Sequence, residues 1–150
     1  MKDNKLFSNS QHGFREGRSC LSNLLTTLEE WTDILDDKAC VDVAYLDFSK
    51  AFDLVSHKHL LLKLNKHGIN GQIGNWIKAF LQDRSISTKV NGTLSKKRSF
   101  TEGIPQGSAL SCTLFLIFIN DLEAGIKPKI KFFADDTSLY SVVRDSLISV

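Results

Sequence analysis

Asp135 and Asp136 stand side by side in FFADDTSLY, residues 132–140, a run that otherwise reads as a buried strand. Two adjacent anions repel each other and resist desolvation, so solvent, a partner cation or a metal has to compensate. A third carboxylate, Asp47, ends the apolar run of AYLDFS. If the two acidic tips lie side by side in one sheet, three carboxylates converge, and such hard oxygen donors select Mg²⁺ or Mn²⁺. Two such ions about 3.5–4 Å apart activate an attacking hydroxyl and stabilise a leaving phosphate oxygen. That is the chemistry of phosphoryl or nucleotidyl transfer. Aspartate also favours ordinary turns, so ADDT taken alone fits a plain turn as well. Asp42 and Asp53 are competing carboxylates: Asp42 falls on the polar face of an alternating strand, and Asp53 falls in the first turn of an expected helix, where the dipole suits it.

The surroundings of these carboxylates favour a phosphate-bearing ligand. After Asp47 the chain reads FSKAFD, where strand becomes helix and free N–H groups can cradle a triphosphate. GIPQGS, residues 103–108, brings two glycines, a proline and an amide side chain just ahead of another helix start. Glycines there allow close approach of backbone to ligand.

The elements that must position these groups follow from periodicity. Residues 19–36 place Leu21, Leu24, Leu25, Leu28, Trp31 and Leu35 at helical spacing, with Ser19 as N-cap. Residues 39–49 alternate as a strand with Val41, Val43 and Tyr45 on one side. A helix is expected from Ala51 to Gly68, and a second over 71–84 with Ile73, Trp76, Ile77 and Phe80 on one face. ISTKVNGTLSKKRSF reads as a hairpin turning at Asn91-Gly92. ALSCTLFLIFINDLEAG is a buried helix ending near Gly125, and KIKFFADDTSLYSVV is two strands turning at Asp135-Asp136. The tail RDSLISV reads as frayed or as cut from something longer. The order is α+β, a small antiparallel sheet backed by helices, without the strict alternation of a doubly wound sheet.

Composition bounds the rest. At 150 residues, with 42% apolar and 24% charged residues, the chain suits one globular domain. A net charge of +2 does not by itself argue for nucleic acid. The basic clusters SKKRSF and KPKIK read as solvated surface, as do His57, His59 and His67 on their helix. Cys20, Cys40 and Cys112 lack metal-ligand spacing and read as reduced thiols of an intracellular protein. No stretch reaches the roughly 18 apolar residues of a membrane span, and the amino end lacks a signal-peptide core.

AYLDFSKAFDLVSHKHLLLKL, EGIPQGSALSCTLFLIFINDL and KFFADDTSLY resemble, in order, the three central palm motifs of reverse transcriptases, in the form found in non-LTR (LINE-type) retrotransposons of the jockey-like group. QHGFREGRSCLSNLL resembles the fingers-to-palm segment just upstream in that family. The resemblance runs from about Gln11 to Tyr140. It implies a polymerase palm-like antiparallel sheet backed by helices, with part of the fingers and no thumb. Residues 1–38 would be the fingers-to-palm segment with its leading helix, and 39–150 the palm core of a single truncated domain.

The resemblance also implies an RNA-directed DNA polymerase, joining a dNTP to a primer 3′-OH with two Mg²⁺ ions, Mn²⁺ being a substitute. Asp47, Asp135 and Asp136 match the catalytic metal ligands, with the Phe48 carbonyl a further one. Lys50 and Ala51 would give N–H groups to the triphosphate, and Phe52 falls where the family holds an aromatic gate against a ribose 2′-OH. Gln106 would lie against the incoming nucleotide, and Gly107 would let the backbone approach it. Arg15 and Arg18 would contact template backbone or brace the fold, and Lys96, Lys97 and Arg98 would touch nucleic-acid phosphates. Expected partners are an RNA template and a DNA primer, with no membrane. Fingers, thumb and endonuclease regions belong to a longer polyprotein. The implied location is the nucleus during retrotransposition and the cytoplasm otherwise. A second reading is a truncated or repurposed remnant without polymerase activity of its own. A third, another two-metal palm enzyme such as a nucleotide cyclase or an RNA-templated RNA polymerase, is opposed by Phe52.

Overall fold

The computed structural model of the chain describes residues 6–144. The expected frayed tail lies, but for Arg144, outside the described residues. In chain order the elements are α1 (Cys20–Asp36), β1 (Cys40–Leu46), α2 (His57–Lys66), α3 (Gly71–Leu81), β2 (Arg84–Ile86), β3 (Lys89–Val90), β4 (Thr93–Leu94), β5 (Arg98–Phe100), α4 (Ala109–Ile119), β6 (Lys129–Phe133) and β7 (Asp136–Val143). This is the mixed helix-and-sheet class the sequence suggests. Two compact units divide the chain, one of Met1–Ser49 with Asn120–Val150, the other of Lys50–Ile119.

The first unit is a three-stranded antiparallel sheet in the order β1-β7-β6, with α1 against β1 and β6. The start of α1 is set by a capping box. The Ser19 hydroxyl accepts the Ser22 N–H at 3.0 Å, and the Ser22 hydroxyl accepts the Ser19 N–H at 2.9 Å. The helix does not present its leucine stripe to the sheet: Leu21, Leu24, Leu25, Leu28 and Leu35 are exposed. Asn23, Glu30 and Trp31 make the contacts instead, with Thr27 buried on the same side of the helix. Tyr140, nearly fully buried, meets the edge of Trp31 with ring centroids 5.8 Å apart.

Glu30 fastens α1 to β6 and β7. Its carboxylate pairs with Lys129 at 2.7 Å and Lys131 at 2.5 Å and accepts a hydrogen bond from the Tyr140 hydroxyl. Burial alone would raise the Glu30 pKa, but the hydrogen bonds from Lys129, Lys131 and Tyr140 outweigh it and hold the group down at about 2. Burial and the Glu30 charge push the Tyr140 phenol upward. Because the folded Glu30 pKa lies below its unfolded value of 4.5, the linked stability is present above pH 4.5 and is lost as pH falls toward 2. The side chain keeps 30% of its surface in water, so screening reduces the linked stability to about 1–2 kcal/mol. Glu30→Gln is expected to remove most of that loss between pH 5 and 2. Urea unfolding at several pH values measures it; a variant whose stability still tracks the parent's through that window contradicts the assignment.

The second unit packs α2 against α3 and α4. Leu60, Leu64, Ile77, Leu81, Ile104, Leu114, Phe115 and Ile117 are among its buried side chains. α4 is apolar on every face, as a helix enclosed by its neighbours should be. The 84–100 region is two nested antiparallel pairs, β2 with β5 and β3 with β4. Asn91 and Gly92, at φ 48° and 84°, make the expected tight turn of the inner pair. No helix among the described residues is long and apolar enough to cross a membrane.

Candidate active site

The register of the sheet decides where its carboxylates go. The β1–β7 ladder ends at Leu46 opposite Thr137, so the next residues outward on the two strands are Asp47 and Asp136. Asp136 in turn pairs with Phe133 of β6. The two-residue turn is therefore Ala134–Asp135, one residue earlier than the sequence suggested, and Asp136 belongs to the strand. Asp47, Asp135 and Asp136 sit at the same end of one sheet. Asp47 and Asp136 are exposed and Asp135 half-buried, so water screens their repulsion. Asp47 and Asp136 line one cleft of about 400 Å³, together with Asn23, Thr27, Trp31 and Ser138. The donor set, three carboxylates at one sheet end, has the chemistry of a hard divalent cation site. As the side chains stand, no three His, Cys, Asp or Glu groups among the described residues are grouped so as to hold a metal ion.

The acidic turn is fastened from far away in sequence. Ala134 takes φ 57°, the left-handed region that costs an alanine roughly 1 kcal/mol. The Gln11 side chain is hydrogen-bonded to both the N–H and the C=O of Ala134. Backbone bonds from His12 N–H to Phe132 O and from Phe132 N–H to Ser10 O, both 2.9 Å, lay the 10–12 segment beside β6. Gly13 lies so close that a Cβ there would stand 2.2 Å from the Ala134 nitrogen. Next to it, burial and then the charges of Arg18, Lys131 and Arg15 push the His12 imidazole below its usual range.

In the second unit, residues 50–57 and 103–107 are stitched together. The expected helix after Asp47 does not begin at Ala51. Lys50, at φ 56°, starts a tight turn in which the Asp53 and Leu54 N–H groups donate to its carbonyl at 2.9 and 3.1 Å. α2 starts only at His57, with Ser56 as N-cap. The reason is that the loop takes the carbonyls a helix would need. Gly103 N–H donates to Val55 O at 2.8 Å, and Ile104 N–H to Phe52 O at 2.9 Å. Gly103 takes φ 85°, and a Cβ there would stand 2.6 Å from the Asp53 carbonyl oxygen, so only glycine fits.

His57 closes this pair of segments. It is buried, contrary to the surface reading, and its ring Nε2 lies 2.6 Å from the Gly103 carbonyl, to which it donates. His59 and His67 are exposed, as expected. Phe52 stacks on buried Phe115 at 4.0 Å between centroids, so it belongs to the rim of its own unit's core. The Gln106 amide reaches Asp53 Oδ1 at 3.5 Å. Ser111 donates to the Pro105 carbonyl from the first turn of α4. Gly107 takes φ 85° with open space where a side chain would be.

The basic residues divide. The Arg15 guanidinium donates to the Ser8 and Gln11 carbonyls, and Arg18 donates to the Asn9 carbonyl and amide oxygen; both brace the amino-terminal turn. Lys96, Lys97 and Arg98 are exposed where the chain enters β5, Arg98 being its first residue. In KPKIK, Lys127 and Lys129 are exposed, as read, and Lys131 is half-buried; Lys129 and Lys131 both pair with Glu30. Cys20, Cys40 and Cys112 are free thiols. Sequence reasoning missed Gln11, Gly13, His57 and Glu30, because each acts on a partner far off in the chain.

The chain matches, over residues 1–150, the family model described as reverse transcriptase (RNA-dependent DNA polymerase). It is 31% identical over 145 residues to the RNA-directed DNA polymerase from mobile element jockey of Drosophila melanogaster, covering 91% of this chain and 16% of that protein. It is 30% identical over 122 residues to the probable RNA-directed DNA polymerase from transposon BS of the same species, covering 81% of this chain and 13% of that protein. A jockey polymerase of Drosophila funebris is 33% identical over 112 residues, covering 75% of this chain and 12% of that protein. The chain thus spans about an eighth to a sixth of the length of these relatives. With that match over its whole length, the chain belongs to the reverse transcriptase family, in its non-LTR retrotransposon branch.

Proposed function

We propose that this chain is the catalytic palm core of an RNA-directed DNA polymerase, residues 1–38 leading in from the fingers and 39–150 forming the palm. The observation that carries the reading is the sheet register, which brings Asp47 and the Asp135–Asp136 turn to one end of three strands in a chain of this family. Asp47, Asp135 and Asp136, with the Phe48 carbonyl, would hold two Mg²⁺ or Mn²⁺ ions, whose chemistry when bound is activation of a primer 3′-OH and neutralisation of phosphate charge. The chain's own work is positioning. Lys50 and Ala51 offer N–H groups to the triphosphate of a dNTP. Gln106 and Gly107 are the second unit's residues for the incoming nucleotide, and the Phe52 ring, held by its stack on Phe115, is its gate against a ribose 2′-OH. Lys96, Lys97 and Arg98, and more weakly the already engaged Arg15 and Arg18, face the phosphates of an RNA template and DNA primer.

The test grafts this chain in place of the matching segment of the jockey polymerase and follows Mg²⁺-dependent extension of a DNA primer on an RNA template. Extension with dNTPs is expected to exceed that with rNTPs by about 100-fold or more, and Phe52→Val to raise rNTP use by about tenfold. Absence of templated extension overturns the function. Unchanged rNTP use by Phe52→Val overturns the gate alone.

A further inference from the structure

Gln11 lies outside every residue so far given a part in the chemistry, yet it is 4% exposed and both ends of its side-chain amide are hydrogen-bonded to the acidic turn. Its Oε1 accepts two N–H groups, from Ala134 at 2.9 Å and from Gly13 at 2.7 Å. Its Nε2 donates to the Ala134 carbonyl at 3.2 Å. The amide therefore pairs with both polar groups of one residue, as a neighbouring strand would, at the point where β6 has run out of partners. That residue directly precedes Asp135. It is also the one strained position of the hairpin: its φ of 57° suits glycine at the first central position of a two-residue turn. Strain at a site of this kind persists only where the surroundings over-determine it.

We propose that Gln11 is a positioning residue for the polymerase chemistry, clamping Ala134 in its left-handed conformation so that Asp135 and Asp136 leave the turn in fixed directions. This rests on the function proposed above. Without the clamp the alanine relaxes toward negative φ, the peptide joining it to Asp135 rotates, and the Asp135 carboxylate swings away from the sheet end it shares with Asp47. Gly13 supports the same device, since any side chain there would wedge the 10–13 segment off the turn.

The proposal has a signature that general destabilisation lacks. Glycine adopts positive φ without strain, so Ala134→Gly removes the need for a clamp. In the grafted jockey polymerase, Gln11→Met is expected to lower kcat about tenfold or more, with KM for dNTP changed less than about threefold. The double variant Gln11→Met with Ala134→Gly is expected to regain about fivefold over Gln11→Met. Gln11→Glu, which keeps the acceptor and loses the donor, should fall between parent and Gln11→Met. In the 150-residue chain, Gln11→Met should speed exchange of the Ala134 amide about tenfold, leaving the β1–β7 ladder within about twofold.

Three results overturn the proposal: a Gln11→Met kcat within about twofold of the parent, a double variant no better than Gln11→Met, or exchange that rises uniformly across the sheet. The exchange measurement needs no catalysis. If the grafted parent shows no templated extension, the proposed function fails, while the amide exchange still reports whether Gln11 holds the turn.

Discussion

Asp135→Asn in the grafted polymerase is expected to reduce primer extension by about 10³-fold or more, equivalent to roughly 4 kcal/mol of transition-state stabilisation. The substitution keeps the shape of the side chain and removes one negative charge and one hard oxygen donor. Asp47→Asn should produce a loss of the same order. The two together should cost far less than the product of the single effects, because residues that act as a unit are not additive. Stability should move the other way. Asp135 and Asp136 are adjacent like charges, so Asp135→Asn is expected to leave the chain equally stable or more stable by about 0.5 kcal/mol. Parallel primer-extension and urea-unfolding measurements separate the two. An Asp135→Asn enzyme that extends as fast as the parent contradicts the metal-ligand role, and one that loses activity only because it unfolds contradicts it too.

Gly13→Ala is expected to destabilise the chain by about 3 kcal/mol, at the high end for a single methyl group. The added Cβ would stand 2.2 Å from the Ala134 nitrogen, 2.9 Å from its Cα and 3.0 Å from the Phe133 carbonyl carbon. All three are backbone atoms of the acidic turn, so no flexible side chain can yield. The segment holding Gln11 has to retreat, and both Gln11 and the Phe132 bonds are stretched with it. Gly17→Ala is the control: at φ 73° with open space around it, it should cost only about 1 kcal/mol of backbone strain. Unfolding free energies from urea titration measure both. Equal and small losses at the two glycines would show that the close approach of residue 13 to the turn is absent in solution.

Where local chemistry is sufficient, the sequence reading and the structure agree. Ser19 caps α1, Asn91-Gly92 turns its hairpin, and the uniformly apolar 109–119 run is an enclosed helix. Where a distant partner intervenes, they part. The helix expected from Ala51 is delayed to His57 because residues 103 and 104 claim the carbonyls of Val55 and Phe52. The turn expected at Asp135-Asp136 moves back one residue because Gln11 holds Ala134 at positive φ, and local propensity favours Asp over Ala there. Helical periodicity locates α1, but of the residues it picks out Trp31 meets the sheet while Leu21, Leu24, Leu25, Leu28 and Leu35 stay exposed, and the further contacts come from polar Asn23 and Glu30. His57 looked like one of three surface histidines, and only the Gly103 carbonyl beside it sets it apart. The carboxylates themselves were legible, because acids at the ends of apolar runs are costly enough to need a reason.

Asp47 and the Asp135–Asp136 turn are proposed to form one divalent cation site. Titrating Mn²⁺ into the isotopically labelled chain and following paramagnetic broadening of its amide resonances tests it most directly. The signals of Asp47, Asp135 and Asp136 are expected to broaden together at one Mn²⁺ concentration, and Asp47→Asn to weaken the broadening at the other two. Broadening confined to one strand end, or broadening at the turn that Asp47→Asn leaves untouched, would contradict it.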